Sequence, residues 1–381
     1  MTAGSFPRIP PVPRGGPVVS AVHCTVYEVP TDRPEADGTL EWSATTLVLV
    51  EVSADGTKGT GWTYASAGCR AVVESQLVPV MMGADPMDVP GITEAMVRAC
   101  RNLGRPGLVS YAVSAADTAL WDLKARLLGQ PLTALFGRCW GEVPVYGSGG
   151  FTTYDEATTR AQLEQWVGEL GISRVKIKIG ESWGRDPGRD LARVALTREV
   201  VGDGTEVFVD ANGGYSAKQA VSIGRRLAAE YGVTWFEEPV SSDDLVGLRE
   251  VRDQVPIDVA AGEYGYDEGY FARMVTAQAV DCLQVDVTRC GGYTCWLRAA
   301  AIAAASGLEV SGHCAPALHA QVAGAIPNLR HLEFFHDHSR LEAMLFDGVL
   351  TPKRGVLVPD SSCPGHGYIF RQADAARFRV A

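Results

Sequence analysis

The sequence predicts an α/β protein, a closed parallel barrel that follows a mixed α+β portion. Two observations predict it. From about Val143 onward, short apolar stretches alternate with amphipathic ones, and their starts fall about 23 to 32 residues apart, the repeat of a strand-loop-helix-loop unit. Eight such strand candidates occur, and eight parallel strands close into a barrel. They are Val143–Ser148, Arg174–Ile179, Glu206–Asp210, Val233–Glu237, Ile257–Ala261, Val280–Val287, Leu308–Ser311 and His331–Phe335. An open doubly wound sheet is the alternative. It would carry a glycine-rich phosphate loop after its first strand, and Gly147-Ser148-Gly149-Gly150 lacks that spacing.

The portion before the barrel reads differently. Ser43 to Ser53 is a strand candidate, Ala54-Asp55-Gly56 a turn, and Gly59 to Tyr64 a returning strand. Helical stretches follow near Ala71–Met82 and Gly91–Leu103. A longer one covers Val109 to Leu128, with apolar residues at helical spacing and Gly129 and Pro131 to end it. The Pro- and Gly-rich start, residues 1–16, reads as a loose arm. The stretch after Val358 leaves the barrel repeat and is expected to pack on the N-terminal portion.

The chain has 381 residues, 46% of them hydrophobic, and a formal net charge of −11. That balance argues against a nucleic-acid or anionic-membrane surface. No run of about 18 apolar residues is present to span a bilayer. Nine cysteines without a CxxC pair read as reduced thiols, hence a cytoplasmic protein.

Active sites of parallel barrels lie at the C-terminal ends of the strands, so the polar residues there carry the functional reading. The second strand offers Lys176 and Lys178, two of only six lysines. Residues two apart share a strand face, and two ammonium groups on an interior face lower the pKa of at least one, which suits a lysine base. Asp210, Glu237 and Glu263 end three consecutive strands. Converging carboxylates repel unless a cation lies between them, and all-oxygen ligands favour a hard ion such as Mg²⁺. Asp286 and His313 end the next two strands, where an aspartate on one imidazole nitrogen fixes the tautomer for acid/base work. Asn212 and Glu333 complete the set.

These residues together resemble the enolase superfamily, and within it the mandelate racemase subgroup. The motifs are Lys176-x-Lys178, Asp210-x-Asn212, Glu237-Glu238-Pro239, Gly262-Glu263, Asp286 with His313, and Glu333. The helix Ala115–Leu123, with Gly129-Gln130-Pro131-Leu132 after it, adds to them. The resemblance implies a (β/α)7β barrel over 141–357 and an α+β capping domain over 17–140, completed by 358–381. It implies Mg²⁺ on Asp210, Glu237 and Glu263, and Lys178 as base on one face of the substrate. Lys176 would hold the substrate carboxylate and depress the pKa of Lys178. The Asp286–His313 dyad would act on the other face, and Glu333, protonated, would donate to an enediolate. Asn212 is expected at the substrate. Arg289 stands where a lysine is frequent in the family, which leaves His313 as the candidate for the second face and favours the racemase-like subgroup.

The reaction expected is abstraction of the proton α to a carboxylate, then loss of water from a polyhydroxy acid to give a 2-keto-3-deoxy acid. Racemisation, epimerisation or cycloisomerisation of a hydroxy acid is the alternative on the same residues. An inactive barrel serving as a binding protein and a nicotinamide oxidoreductase are the other classes. The partner expected is a small carboxylate, with neither nucleic acid nor membrane, and the chain is expected to form a homo-oligomer. Specificity is expected in Thr31–Trp42, with Asp32, Arg33 and Glu41, and in Trp62–Ser66. His336-Asp337-His338 reads as pocket rim, and Cys290, Cys314 and His319 as packing.

Overall fold

A computed structural model of the chain describes residues 15–380. Of the arm expected over 1–16, all but Gly15 and Gly16 lies outside the described residues. The chain opens on an antiparallel sheet of β1 (Val19–Ala36), β2 (Glu41–Ala54) and β3 (Thr57–Tyr64), in that order. Asp55 and Gly56 join β2 to β3 with φ of 47° and 72°, the positive pair that a two-residue hairpin turn needs. β2 and β3 match the sequence expectation. β1 does not: Thr31–Ala36, expected as loop, continues the strand. Pro30 and Pro34 break the apolar alternation. They are tolerated because β1 is an edge strand and its register shifts between Pro30 and Glu35.

Two helices back this sheet, α1 (Val89–Ala99) and α2 (Leu108–Leu127). The helix expected over 71–82 is present as one continuous helical run from Gly68 to Met81, whose middle, Val73–Leu77, is wound as a π-helix. α2 is buried over most of its length because β3 covers one side and the barrel another. Its approach to β3 depends on Gly59 and Gly61. A Cβ on Gly61 would stand 2.4 Å from both the Ala115 carbonyl oxygen and the Ala119 amide nitrogen. On the barrel side Asp117 of α2 accepts from Thr93 Oγ1 at 2.6 Å, Thr294 Oγ1 at 2.5 Å and the Thr294 amide at 3.1 Å.

The barrel strands are β4 (Val143–Gly149), β5 (Arg174–Lys178), β6 (Glu206–Asp210), β7 (Val233–Glu237), β8 (Asp258–Ala261), β9 (Cys282–Val285), β10 (Glu309–Gly312) and β11 (Leu329–Phe335). All eight pair in parallel in sequence order, and β11 pairs with β4 to close the ring. Along β5 the residues alternate as period two demands. Val175 and Ile177 join the core between strands and helices, whereas the Lys176 ammonium lies 5.2 Å from the centre of the Tyr146 ring. Tyr146, Phe208, Trp235, Ala260 and Cys282 form a separate apolar cluster, with His331 against its three aromatic rings.

After β11 the chain runs back toward the first sheet. Phe346–Asp347 pairs antiparallel with Ile369–Phe370. The Val380 amide donates to the Val26 carbonyl at 3.0 Å. Asp122 of α2 accepts from the Thr60 and His366 amides, each at 2.9 Å, and from Arg126 Nε at 2.8 Å. One buried carboxylate thus joins β3, α2 and the tail. Among the described residues no helix is long and apolar enough to cross a membrane, and all nine cysteines are free thiols.

Overpacking a tight site costs about 1–3 kcal/mol. Gly61→Ala meets backbone atoms of α2, which cannot swing aside, so its loss falls in the upper half of that range. Gly91→Ala, in α1 with open space around its Cβ, is neutral or slightly stabilising. Urea unfolding of both variants beside the parent chain tests the pair.

Candidate active site

The expected site residues converge at one end of the barrel. Lys178, Asp210 and Glu237 are register partners across β5, β6 and β7. Lys176, Asp210, Glu237 and Glu333 are wholly buried, and Lys178, Glu263, Asp286 and His313 are at most 5% exposed. Asp210, Glu237 and Glu263 each bring a carboxylate oxygen within 4.8 Å of the others.

Burial of so many charges is met by short ion pairs. Lys178 Nζ lies 2.5 Å from Asp210 Oδ2. Lys176 Nζ lies 2.5 Å from Glu237 Oε1 and 2.7 Å from Glu333 Oε1. Trp235 Nε1 donates to Glu237 Oε2 at 2.9 Å, and Ser148 Oγ to Glu333 Oε1 at 2.5 Å. The compensation is incomplete. Glu263 Oε2, Glu238 Oε1 and Asn212 Oδ1 are buried oxygens without a hydrogen-bond partner. Burial pushes the Glu237 carboxyl up to about 7 against the pull of Lys176. Burial, with Glu263 nearby, pushes Glu238 up further. An all-oxygen trio with an orphaned acceptor fits a hard divalent cation, and Asp210, Glu237 and Glu263 are the residues that would hold it.

Burial and Lys176 act to lower the Lys178 pKa, as expected, but the Asp210 carboxylate at 2.5 Å outweighs them and raises it. Burial favours the acid form of Glu333, yet Lys176 at 2.7 Å and His313 pull its pKa well below the usual carboxylate range. Lys176, wholly buried between Glu237 and Glu333, is absent from the lining of the adjoining cavity. There it pairs with the carboxylates of the centre.

The dyad is in place. His313 Nδ1 stands 2.8 Å from Asp286 Oδ2, and Asp286 Oδ1 accepts from the Thr288 amide and hydroxyl, each at 2.7 Å. Burial would raise the Asp286 pKa, but His313 and Arg289 hold it far down. An ionised Asp286 accepts a hydrogen bond from Nδ1–H, which leaves Nε2 on the cavity side. Burial lowers the His313 pKa, while Glu263 and Glu333 more than offset this and raise it. Arg289 donates to Glu263 Oε1 at 2.9 Å and lies 3.3 Å from Asp286 Oδ2, so it links a carboxylate of the trio to the dyad.

A cavity of about 300 Å³ opens onto Lys178, Asn212, Glu263, Arg289, His313 and Cys314. Asn212 adopts φ 46° and donates its amide to Asp210 Oδ1 at 2.8 Å. The cavity's outer wall comes from the first sheet and from the segment after β11: Leu40, Trp42, Tyr64, Phe335, Asp337 and His338. Tyr64 and His338 stack at 3.5 Å between ring centres, and Thr45 Oγ1 donates to Asp337. Asp337 and His338 therefore form rim, as expected. Asp32, Arg33 and Glu41 do not line the cavity; Asp37, Leu40 and Trp42 take that place. The available signal was the Asp37-Gly38 turn followed by two large apolar side chains. Cys314, expected as packing, reaches the cavity as well. His319 is structural: its Nε2 accepts from the Val287 amide at 3.0 Å and its Nδ1 faces the Cys314 carbonyl at 2.8 Å.

Comparison with known proteins agrees with this layout. Residues 21–137 match the mandelate racemase/muconate lactonizing enzyme N-terminal domain, and residues 158–374 the enolase C-terminal domain-like family. A D-galactarolactone cycloisomerase of Agrobacterium fabrum is 33% identical over 77% of this chain and 78% of its own length. An L-talarate/galactarate dehydratase of Salmonella typhimurium is 29% identical over 79% and 77%. A mandelate racemase/muconate lactonizing enzyme-like protein from Rubrobacter xylanophilus superposes with a TM-score of 0.91 at 45% identity, covering 95% of this chain and all of that one (100%). A racemase from Streptomyces coelicolor, solved with bound magnesium, gives 0.89 at 28% identity over 95% and 100%. The chain belongs to the mandelate racemase/muconate lactonizing enzyme group of the enolase superfamily and is an enzyme, a lyase or an isomerase.

Proposed function

We propose that the chain abstracts the proton α to the carboxylate of a sugar acid, with Mg²⁺ held by Asp210, Glu237 and Glu263, and then expels the β-hydroxyl to give a 2-keto-3-deoxy acid. One observation carries the reading. Lys178 and His313 line the same cavity from β5 and β10, three places apart by the shorter way round the ring. That separation suits attack from one face of a substrate and proton delivery from another.

Mg²⁺, when bound, supplies divalent charge against the negative charge that builds on the substrate carboxylate. With Asp210 shared with that ion, Lys178 would keep less of its counter-charge, and the adjacent Lys176 ammonium would favour the neutral amine. Lys178 in this state takes the α-proton. Glu333 stays ionised against Lys176 and orders that lysine. His313, with its Nδ1 proton held by Asp286, delivers the Nε2 proton to the departing hydroxyl. Asn212 Oδ1, buried and unpartnered, accepts from a substrate hydroxyl. Asp37, Thr45, Thr46 and Asp337 on the cavity wall supply further partners for a polyhydroxy chain. The dehydratase from Salmonella supports loss of water. The cycloisomerase from Agrobacterium, the more similar of the two, favours a second reading in which the same residues open a lactone.

Lys178→Ala is expected to lower turnover on its best sugar acid about 10²–10⁴-fold and to abolish α-proton exchange in heavy water. His313→Asn keeps part of that exchange and forms no 2-keto acid. Exchange by the parent enzyme across a panel of sugar acids, without any 2-keto acid, would sink the dehydratase reading; a ring-opened product from a lactone would select the second.

Chelation should remove activity, and Mg²⁺ alone should restore it. Saturation at about 100 times the dissociation constant adds about 2.7 kcal/mol of stability, visible as a higher melting temperature. Asp210→Asn should lose that shift; an equal shift in the variant would move the ion elsewhere.

A further inference from the structure

His313, Cys314 and Glu333 bring an imidazole nitrogen, a thiol and a carboxylate oxygen to one point beside the magnesium ligands. The Cys314 Sγ to His313 Nε2 distance is 3.3 Å, Cys314 Sγ to Glu333 Oε2 is 3.4 Å, and His313 Nε2 to Glu333 Oε2 is 3.6 Å. Tetrahedral zinc, with Zn–S near 2.3 Å and Zn–N and Zn–O near 2.0–2.2 Å, places such ligand atoms about 3.4–3.6 Å apart. Two edges of the triangle fall in that range and the third, 3.3 Å, lies just below it. We propose that these three side chains form a second metal site, which takes a thiophilic divalent cation of the Zn²⁺ class and silences the enzyme.

Four further observations support it. Asp286 on His313 Nδ1 leaves Nε2 as the lone-pair donor, the carboxylate–histidine arrangement that orients metal-bound imidazoles. Ser148 Oγ on Glu333 Oε1 fixes the carboxylate, and the Cys314 amide on Glu333 Oε2 at 2.9 Å ties the two ligand-bearing elements together. A fourth acceptor is within reach: Glu263 Oε2, 3.3 Å from His313 Nε2, on a carboxylate that would then be shared with the Mg²⁺ trio. Finally, Cys314 and Ala315 hold left-handed backbone, φ 51° and 39°, a conformation that costs of order 1–3 kcal/mol in non-glycine residues and collects at functional sites.

Ligand softness keeps the two ions apart. Mg²⁺ prefers oxygen alone and favours the three carboxylates, whereas sulfur and nitrogen select zinc or cadmium. On binding, the Cys314 thiol releases its proton to buffer and the sulfur forms the metal bond; nothing is oxidised. Entry is open, since His313 and Cys314 both line the cavity. The metal then occupies the Nε2 lone pair and Glu333. The inhibition rests on the acid/base role of His313 given above; the binding does not.

The test titrates Mg²⁺-saturated enzyme with Cd²⁺ and follows the thiolate-to-metal absorption band in the ultraviolet. One band-forming Cd²⁺ per chain is expected in the parent enzyme. Cys314→Ser should lose that band with at least a ~100-fold loss of affinity, since changes one shell further out already cost 10–100-fold. Whatever Mg²⁺-dependent turnover it retains should resist the Zn²⁺ concentration that inhibits the parent, judged as the fraction of each protein's own activity lost. No band in the parent enzyme overturns the proposal without any variant. An equal band in Cys314→Ser, from the exposed Cys139 for example, overturns it too, as does equal Zn²⁺ sensitivity, which would mark displacement of Mg²⁺ at the three carboxylates. If no acid is turned over by either protein, the Cd²⁺ titration still decides the site while the functional reading fails separately.

Discussion

Removing a carboxylate from water costs several kcal/mol unless donors or opposite charge replace the solvent. This barrel buries six near one mouth: Asp210, Glu237, Glu238, Glu263, Asp286 and Glu333. Against them stand Lys176, Lys178 and Arg289, with His313 as a fourth cation when protonated. The deficit of positive charge organises the rest. It draws Lys178 onto Asp210 and Lys176 between Glu237 and Glu333, pushes Glu237 and Glu238 toward their neutral forms, and leaves Glu263 Oε2 unpartnered. A divalent ion is the species that would relieve all of these together. The aromatic cluster of Tyr146, Phe208 and Trp235 adds an apolar packing of the barrel interior beside Lys176, where charge interactions are strong because water is excluded.

The first sheet matters to this centre because it closes the cavity. Trp42 and Tyr64 come from β2 and β3, and Asp337 and His338 from the segment after β11. Their placement needs the sheet to be held against the barrel, and α2 does this. The glycines of β3 let the helix backbone approach on one side, while Asp117 and Asp122 fasten it to Thr294 and to the tail on the others. Both aspartates are wholly buried, so each contact is exchanged against desolvation and is worth most when every oxygen is used.

The barrel was legible in the sequence because its signal is local: short apolar runs recur at a fixed interval, and the strands lie within a few residues of their expected ends. The charged residues were legible for the same reason, since strand ends project into one mouth whatever the details of packing. β1 was not, because Pro30 and Pro34 hide a strand that only its edge position permits. Protonation states were not, because Lys178 depends on a 2.5 Å approach to Asp210 that no spacing rule contains. The cavity wall was half legible. Thr31–Trp42, Tyr64 and the His336–His338 segment were marked as candidates, but that Asp37, Leu40 and Trp42, not Asp32, Arg33 and Glu41, reach the cavity appears only after three distant parts of the chain meet. Cys314 read as packing because a lone thiol in sequence carries no geometry; its neighbour Glu333 is nineteen positions away.

Glu263 connects the two halves of the chemistry. One of its oxygens meets Arg289, and the other lies 3.3 Å from His313 Nε2. Its negative charge is the leading reason the His313 pKa rises against burial. An ion that shares this carboxylate weakens that pull and frees part of Arg289 for Asp286, and both changes act in the same direction. Arg289 opposes protonation of His313 directly, and it steadies the Asp286 charge that holds the Nδ1 proton. An ion on Glu263 would therefore lower the His313 pKa toward its ordinary range, where an imidazole both gives and accepts a proton near neutrality. Glu263 raises the pKa of His313 and Asp210 that of Lys178. The carboxylates that would hold the ion are thus also the charges that face the two proposed proton-transfer groups.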